Sequence, residues 1–285
     1  MACRTLRAGI AGRRDRGPGR GHPMVEPGRR IRGGCGRVAQ PREGAHDAFL
    51  NRLRADIAGI AQPGLYTLAS VPEALRAKAT VVTHLEDINY EIESLDKTRY
   101  IVHKIYTVIN EEGKDALTFY EYSSKYMSLE DAEIRVYDGN GKQTAKYKKK
   151  DMTTVATGEG LIEDGYVTYY QITPPSYPVT IEVNYEKKIR STLSVPDYRF
   201  IHPKESILSS SYTAKVPVDM ALKYKPVNTT LQPVVTEDGK YKVYKWTVKD
   251  LVPLEYEEGA VSAQSRYPHV AMVTEQFSHY GFRGD

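Results

Sequence analysis

The chain has 285 residues, of which 40% are hydrophobic and 27% are charged, and its formal net charge is +4 at pH 7. This composition fits a globular chain that is long enough to bury a core, as one large domain or two ordinary ones. No run of about 18 apolar residues occurs, so the sequence predicts no membrane-spanning helix. No apolar block follows Met1, so no secretory signal can be recognised.

The positive charge is concentrated at the N-terminus. Residues 1–60 contain 13 Arg, no Lys and 5 acidic residues, whereas the remainder of the chain carries a net charge of −4. All 22 tyrosines lie after residue 60. The global charge therefore describes a basic leader in front of a mildly acidic body, which argues against nucleic acid as the partner of the body.

The leader and the body differ in the structure that their sequences predict. Residues 1–44 are rich in Arg and Gly and offer few apolar groups to offset the entropy of folding, which predicts disorder. Apolar residues recur at three- and four-residue steps over residues 45–60, which predicts a short amphipathic helix. We therefore divide the chain into a leader, residues 1–62, and an all-β domain, residues 63–285.

The body begins with one more short helix and then turns to strands. A helix is predicted at 71–78, with Pro72 at its first helical position. Alternation of apolar and polar residues after residue 85 and many β-branched and aromatic residues predict strands at 81–92 and 100–109, joined by a turn at 94–97. Further strands are predicted at 116–122, 132–137, 142–148, 166–172, 179–190, 207–216, 219–225, 240–249 and 269–276.

The turns between these strands favour antiparallel pairing. Residues 138–141 (DGNG) are a strong signal for a tight hairpin because Asn and Gly tolerate a positive φ, and residues 237–240 (EDGK) are similar. Strands every 8 to 15 residues with no long helical period predict antiparallel sheets. We expect an antiparallel β-sandwich-like module; the alternative is two tandem sandwiches divided near residues 190–205.

The candidate chemistry of the chain is weak in every class that we considered. The two cysteines, Cys3 and Cys35, both lie in the leader, where a low-pKa thiol has no fixed electropositive setting. His84 and His103 would form a metal pair only if they faced each other across a hairpin, and His269 and His279 are only loosely grouped. No Gly-x-Ser-x-Gly elbow and no phosphate loop occur. We therefore predict no catalytic, cofactor-binding or metal-binding residues, no cofactor, and no enzymatic activity.

Three further features favour structural interpretations. Glu255, Glu257 and Glu258 are acidic residues of a predicted loop, which are usually solvated. The basic run at 146–151 follows a hairpin, where charges commonly protect an edge strand. The abundant tyrosines suit strands, but a tyrosine-lined surface would also suit protein contacts or stacking on sugars.

Several stretches of the body resemble a known family. They are residues 106–113 (YTVINEEG), 181–185 (IEVNY), 244–255 (YKWTVKDLVPLE), 267–270 (YPHV) and 277–281 (FSHYG). In this order they resemble a bacterial, Bacteroidetes-type domain of unknown function found immediately N-terminal to transglutaminase-like domains of papain fold. The resemblance covers about residues 66–285 and carries no catalytic residue.

The resemblance implies a non-catalytic accessory or interaction module associated with a transglutaminase-like domain that is absent from this chain. The partner would be that domain, in cis or in trans. The alternative is a stand-alone sugar- or protein-binding sandwich that uses exposed tyrosines. The family implies a periplasmic or exported protein, although no signal peptide can be recognised.

Overall fold

The computed structural model describes residues 63–158, 165–254, 267–279 and 281–285. The described residues all belong to one unit of the fold, Asp56–Asp285. The predicted disordered leader, its helix at 45–60 and both cysteines lie outside the described residues. The boundary between residues 62 and 63 therefore stays a prediction.

The described residues are mainly β-strand, which confirms the predicted all-β fold class. Each of the eleven predicted strands is present, and five short strands are additional. One α-helix, α1, spans Glu73–Arg76, and 3-10 turns lie at Pro63–Tyr66, Leu68–Ser70, Glu111–Leu117 and Lys149–Asp151. The strands are β1 (Val81–Ser94), β2 (Lys97–Val108), β3 (Thr118–Ser123), β4 (Met127–Tyr137), β5 (Gln143–Lys148), β6 (Thr153–Ala156), β7 (Tyr166–Gln171), β8 (Val179–Ile189), β9 (Tyr198–Arg199), β10 (Glu205–Pro217), β11 (Leu222–Val227), β12 (Val234–Asp238), β13 (Tyr241–Leu251), β14 (His269–Thr274), β15 (Phe277–His279) and β16 (Phe282–Gly284).

Eight strands form one large sheet in the order β12-β13-β10-β1-β2-β8-β4-β5. Its neighbours are antiparallel except for β1 and β10, which run parallel with Val81 opposite Glu205 and Glu91 opposite Lys215. This pair departs from the predicted antiparallel pattern. Parallel neighbours require a long crossover, and residues 95–204 supply it, because β10 re-enters the sheet at the end where β1 starts.

Two small sheets, β3-β7-β6 and β11-β14-β9, pack on one face of the large sheet. Tyr100 and Val102 of β2 contact the core under β11-β14-β9, and Tyr106 and Val108 contact the core under β3-β7-β6. These four side chains lie at alternate positions of one strand, so both cores cover the same face. The fold is a sandwich with one continuous layer and one divided layer. The alternative of two tandem sandwiches agrees with the presence of two cores. It does not include the large sheet that both cores share.

The core under β11-β14-β9 is an aromatic cluster around Trp246, whose side chain is fully buried. The Trp246 ring centroid lies 6.2 Å from that of Tyr244, 5.5 Å from that of Tyr224 and 6.1 Å from that of Tyr212. Aromatic side chains at alternate positions of β10 and β13 therefore point into one core. β13 ends at Leu251, just before Pro253, as expected from the missing N–H of proline.

The two predicted hairpin turns have the backbone that their glycines allow. Gly141 has φ +79° and Gly239 has φ +60°, in the left-handed region. The carboxylate of Asp138 accepts hydrogen bonds from the backbone N–H groups of Asn140 (2.9 Å) and Lys142 (3.0 Å). These bonds fix the β4–β5 connection as the sequence predicted.

Candidate functional site

A buried ion cluster lies on the central strands of the large sheet. Lys104 on β2 places its Nζ 2.8 Å from Oε1 of Glu205 and 3.4 Å from Oε1 of Glu86. Glu86 is the register partner of Lys104 across β1 and β2, and Glu205 begins the parallel strand β10. The cluster therefore forms only when β1, β2 and β10 have assembled.

The charges of this cluster stabilise one another. Burial opposes the charge on Lys104, but Glu205 and Glu86 outweigh it and raise the pKa of Lys104 above its ordinary value. Burial likewise opposes the charge on Glu205, yet Lys104 and His202 lower the pKa of that carboxyl group. Ser210 donates a hydrogen bond of 2.7 Å to Glu86, and the Tyr198 hydroxyl donates one of 2.9 Å to Ser210. At neutral pH the cluster is therefore one ammonium group between two carboxylates.

A cavity of about 440 Å³ opens above this cluster, beside β3. We call it the central cavity. It is lined by the ion cluster, by His202, by residues 118–121 of β3 and by apolar and aromatic side chains. The aromatic and apolar lining residues are Val81, Ile88, Tyr100, Val102, Tyr106, Ala116, Phe119, Tyr120, Val183 and Tyr185. An apolar pocket of this size with a few convergent polar groups has the general form of a ligand site.

A second ion pair lies at the side of the cavity under β3. Lys187 Nζ is 2.6 Å from Oε2 of Glu121, and both side chains are largely buried. Burial, together with the neighbouring Tyr100 and the carboxylate of Glu121, raises the pKa of Tyr185 well above its ordinary value. Tyr185 therefore remains a neutral phenol at physiological pH, able to donate a hydrogen bond.

The strand β3 presents an open edge to the central cavity. Ile172 N–H donates to the carbonyl of Leu117 at 2.9 Å, and Phe119 pairs with Tyr170. Because hydrogen-bonding direction alternates along an antiparallel strand, the backbone groups of Thr118 and Tyr120 point away from β7. Met127 of β4 occupies this edge only at Ser124. Within the described part of the chain, no strand pairs with the edge at Thr118 and Tyr120.

The outward face of the sheet β3-β7-β6 carries exposed tyrosines, and we call it the tyrosine face. It comprises Tyr120, Tyr122, Val155, Val167 and Tyr169. Tyr120 is directly opposite Tyr169, and Tyr122 is opposite Val167. Tyr120 is 69% exposed and Tyr122 is 44% exposed, in contrast to the buried tyrosines of the cores. Aromatic rings presented together on a flat sheet are typical of a contact surface.

The two histidines that the sequence suggested as a metal pair, His84 and His103, bind separate partners. The β1–β2 register places His103 opposite Asp87, and His84 lies at an irregularity of the pairing. His84 Nε2 is 2.7 Å from the Thr107 hydroxyl, and His103 Nε2 is 3.0 Å from Glu182. The structure brings no group of three or more metal-ligating side chains together among the residues that it describes.

The remaining candidates also contact separate partners where they are described. His269 Nδ1 lies 2.9 Å from the carbonyl of Tyr267, and His279 Nδ1 lies 2.9 Å from the Ser191 hydroxyl. In the basic run at 146–151, Lys146 pairs with Glu133 at 3.0 Å. Glu255, Glu257 and Glu258 lie outside the described residues.

A polar cluster on the opposite face of the large sheet makes stability depend on pH. Burial lowers the pKa of His84 from 6.5 to about 4. Burial would raise the pKa of Glu182, but hydrogen bonds from His103 and Tyr137 and the charge of Arg135 lower it to about 2. His84 is therefore neutral and Glu182 is charged in the folded protein at neutral pH.

Acid is expected to destabilise the fold in two steps. His84 is protonated near pH 6.5 in the unfolded chain, but its pKa in the folded chain is about 4. The stabilisation that is present above pH 6.5 is therefore lost as the pH falls towards 4. The contribution of Glu182 is lost from about pH 4.5 to 2. His84→Gln should remove the first step, which is worth up to about 3 kcal/mol. Urea unfolding midpoints of the wild type and of His84→Gln at pH 7.5, 5.5 and 4 measure this loss of stability. If the midpoint fell equally steeply with pH in both proteins, the assignment to His84 would be contradicted.

The sequence analysis missed the central cluster, although a signal was present. Glu86 lies two residues before the core residue Ile88, and Lys104 lies between the core residues Val102 and Tyr106. Since alternate residues of a strand share a face, these charges occupy inward positions. Inward charges of opposite sign on neighbouring strands indicate a buried ion pair. Glu205 could not be included, because its parallel pairing with β1 has no local signal.

The large, aromatic-rich sandwich is similar to part of other solved proteins. The chain is similar to a "putative protease" from Parabacteroides distasonis, with 11% identity and a TM-score of 0.59, which covers 68% of this chain and 40% of that one. This likeness shows the fold alone, and the chain spans less than half the length of that protein. None of the described helices is long and apolar enough to cross a bilayer.

Two other solved structures match with TM-scores below 0.5, and we draw no conclusion about this chain from them. An M1 zinc metallopeptidase from Deinococcus radiodurans has 11% identity and a TM-score of 0.34, covering 68% of this chain and 42% of that one. A "putative nutrient binding protein" from Legionella pneumophila has 9% identity and a TM-score of 0.33, covering 69% and 68%. No curated protein sequence matches the chain.

A family model gives the stronger result. The model of a "Domain of Unknown Function with solved-structure structure", DUF3857, matches residues 96–255, more than half of the chain. The matched segment runs from the turn before β2 through β13 and includes Lys104, Glu205 and Trp246. The chain therefore belongs to the DUF3857 family of domains of unknown function.

Proposed function

We propose that this chain is a non-catalytic interaction module of a larger protein, and that the tyrosine face contacts a neighbouring transglutaminase-like domain of papain fold. The observation that carries the proposal is the exposure of Tyr120, Tyr122 and Tyr169 on one flat face. Tyrosines are enriched at protein interfaces because they bury a large ring and keep a polar hydroxyl group. The resemblance noted in the sequence supplies the identity of the partner domain.

Two further observations support an accessory role. The similar "putative protease" structure is more than twice as long as the matched region, so this fold occurs there as part of a larger chain. The charged groups of the central cavity are paired with one another, and Lys104 is held protonated by its carboxylates. A protonated, doubly paired lysine is a poor nucleophile or general base.

The first experiment looks for the partner and measures its binding. The coding sequence that adjoins this chain is read for a papain-fold domain with Cys, His and Asp, and that domain is titrated calorimetrically against the full chain. Tyr120→Ser/Tyr169→Ser should weaken binding at least about tenfold, because interfacial tyrosines are common hot spots. Val234→Ser/Val273→Ser is the matched control, because these side chains are 69% and 48% exposed on other sheets.

The outcomes distinguish the proposal from its alternatives. Equal loss of affinity in both double variants, or the absence of any adjoining papain-fold domain, would overturn it. Binding of soluble polysaccharide that the tyrosine variant abolishes would favour the sugar-binding alternative, for which stacking on Tyr120 and Tyr169 is the supporting geometry. Release of ammonia from a glutamine-containing peptide by the chain alone would contradict its non-catalytic role.

A further inference from the structure

We infer that the central cavity is a binding site for an extended peptide, which adds a strand to the open edge of β3 and inserts a lysine or arginine side chain over the ion cluster. This inference goes beyond the proposed function, since it uses the strand edge and the cavity rather than the outward tyrosine side chains. It rests on three features that coincide at one place: an unpaired edge, a cavity beneath it and a surplus of negative charge.

The unpaired edge supplies the backbone recognition. Thr118 and Tyr120 direct their backbone groups away from β7 and line the central cavity. The N–H group of Thr118 donates to the carbonyl of Asp115, so the donor that this edge offers to a strand is the N–H group of Tyr120. An open edge of this kind is a template for another strand, and natural proteins usually cover or charge it. The residues whose backbone groups form this edge are Thr118, Tyr120 and Tyr122, and none of their side chains is charged. Strand addition at such an edge is a common mode of peptide recognition.

The cavity supplies room for a side chain of the added strand. Every second side chain of a strand beside β3 would point in the same direction as Phe119 and Glu121, towards the large sheet. The cavity there has a volume of about 440 Å³ and aromatic walls that include Tyr100, Tyr106 and Tyr185. Lys104 Nζ already lies 5.6 Å from the centre of the Tyr106 ring, so these walls accept a cation.

The charge of the cavity selects the side chain. Glu86, Glu121 and Glu205 contribute three carboxylates, Lys104 and Lys187 contribute two ammonium groups, and His202 adds a positive charge when it is protonated. With His202 neutral, the surplus of one negative charge favours a peptide residue with a single positive charge and disfavours an acidic one. A buried, charge-assisted hydrogen bond would discriminate between them by at least about tenfold.

The test uses the full chain, isotope-labelled for NMR, and a capped seven-residue probe, Thr-Ser-Val-Lys-Val-Ser-Thr. Its matched controls replace the central lysine with glutamate or both valines with proline, which removes donors needed for strand pairing. We expect the lysine peptide to slow hydrogen exchange at the amide of Tyr120. The glutamate peptide should bind at least about tenfold more weakly, and the proline peptide should give no protection.

Substitutions on the two edges of the same small sheet provide the matched variants. Tyr120→Pro removes a donor from the edge at the cavity, and Thr154→Pro removes one from the opposite edge, on β6, whose residues are exposed. Only Tyr120→Pro should abolish peptide binding. Should Tyr120→Pro fail to fold, the protection of the Tyr120 amide in the unsubstituted chain still decides the question.

Four results would overturn the inference. Three of them are no binding of the lysine peptide at millimolar concentration, protection at Thr154 instead of Tyr120, and equal affinity for the lysine and glutamate peptides. Binding of n-butylamine with no requirement for a peptide backbone would also overturn it, because the cavity would then be a site for small amines rather than for a strand.

Discussion

Lys104→Met is expected to destabilise the fold by about 3–5 kcal/mol at pH 7, because it leaves the carboxylates of Glu86 and Glu205 buried without their cation. Methionine is close to lysine in length and fills the same space without charge. The loss should be smaller at lower pH, because burial without a cation favours the neutral form of a carboxyl group. Urea unfolding of the wild type and the variant at pH 7 and pH 5 measures both effects.

A lysine in an exposed ion pair serves as the control, because its replacement removes the charge but exposes no buried carboxylate. Lys188 on β8 lies 2.6 Å from Glu130, but its side chain is 49% exposed. Lys188→Met should therefore change the free energy of unfolding by less than about 1 kcal/mol. Adding Glu205→Gln to Lys104→Met should restore part of the stability, since one uncompensated charge is removed. Equal losses for Lys104→Met and Lys188→Met would show that the central cluster is not buried as described.

Trp246→Ala is expected to cost about 3–5 kcal/mol, because it leaves a large void in the aromatic cluster of Tyr212, Tyr224 and Tyr244. For a domain of this size the melting temperature should fall by roughly 6–20 °C. Differential scanning calorimetry measures the shift. The indole Nε1–H is buried and has no hydrogen-bond partner within the described residues.

Trp246→Phe is the informative companion, since it keeps most of the ring and removes that unpaired N–H group. It should cost much less than Trp246→Ala. Phe282→Ala serves as the surface control, because Phe282 is 78% exposed. An unchanged melting temperature in Trp246→Ala would place the ring on the surface and would support a binding role for it.

The strands were predictable where burial alternates along the chain. The five additional strands, each of two to five residues, were not. In β1 the inward residues Ile88, Tyr90 and Ile92 alternate with more exposed ones, so the period is visible in the sequence. All residues of β6 and β12 are exposed, so neither strand carries an alternating signal. Between β2 and β3 the chain forms a 3-10 segment, Glu111–Leu117, and the Asn110 side chain caps its start.

The pairing of strands and the central cavity were less predictable than the strands themselves. Turn chemistry at 138–141 predicts that β4 and β5 are neighbours, because the two strands are contiguous. Nothing local indicates that Glu205 will lie beside Val81, because this contact depends on the assembled sheet. The cavity depends on how side chains of β1, β2, β3 and β8 pack around the ion cluster. Its charged residues could be recognised as inward-facing, but their mutual contact could not.

The parallel pairing of β1 with β10 has a consequence for biosynthesis. More than a hundred residues separate the end of β1 from the start of β10, so β1 emerges from the ribosome long before its second neighbour. At about 5–20 residues per second, this interval lasts roughly 5–20 s. During that time β1 has β2 on one side and an unpaired edge on the other. The nascent chain therefore has an aggregation-prone phase that ends only when the segment after residue 205 is synthesised.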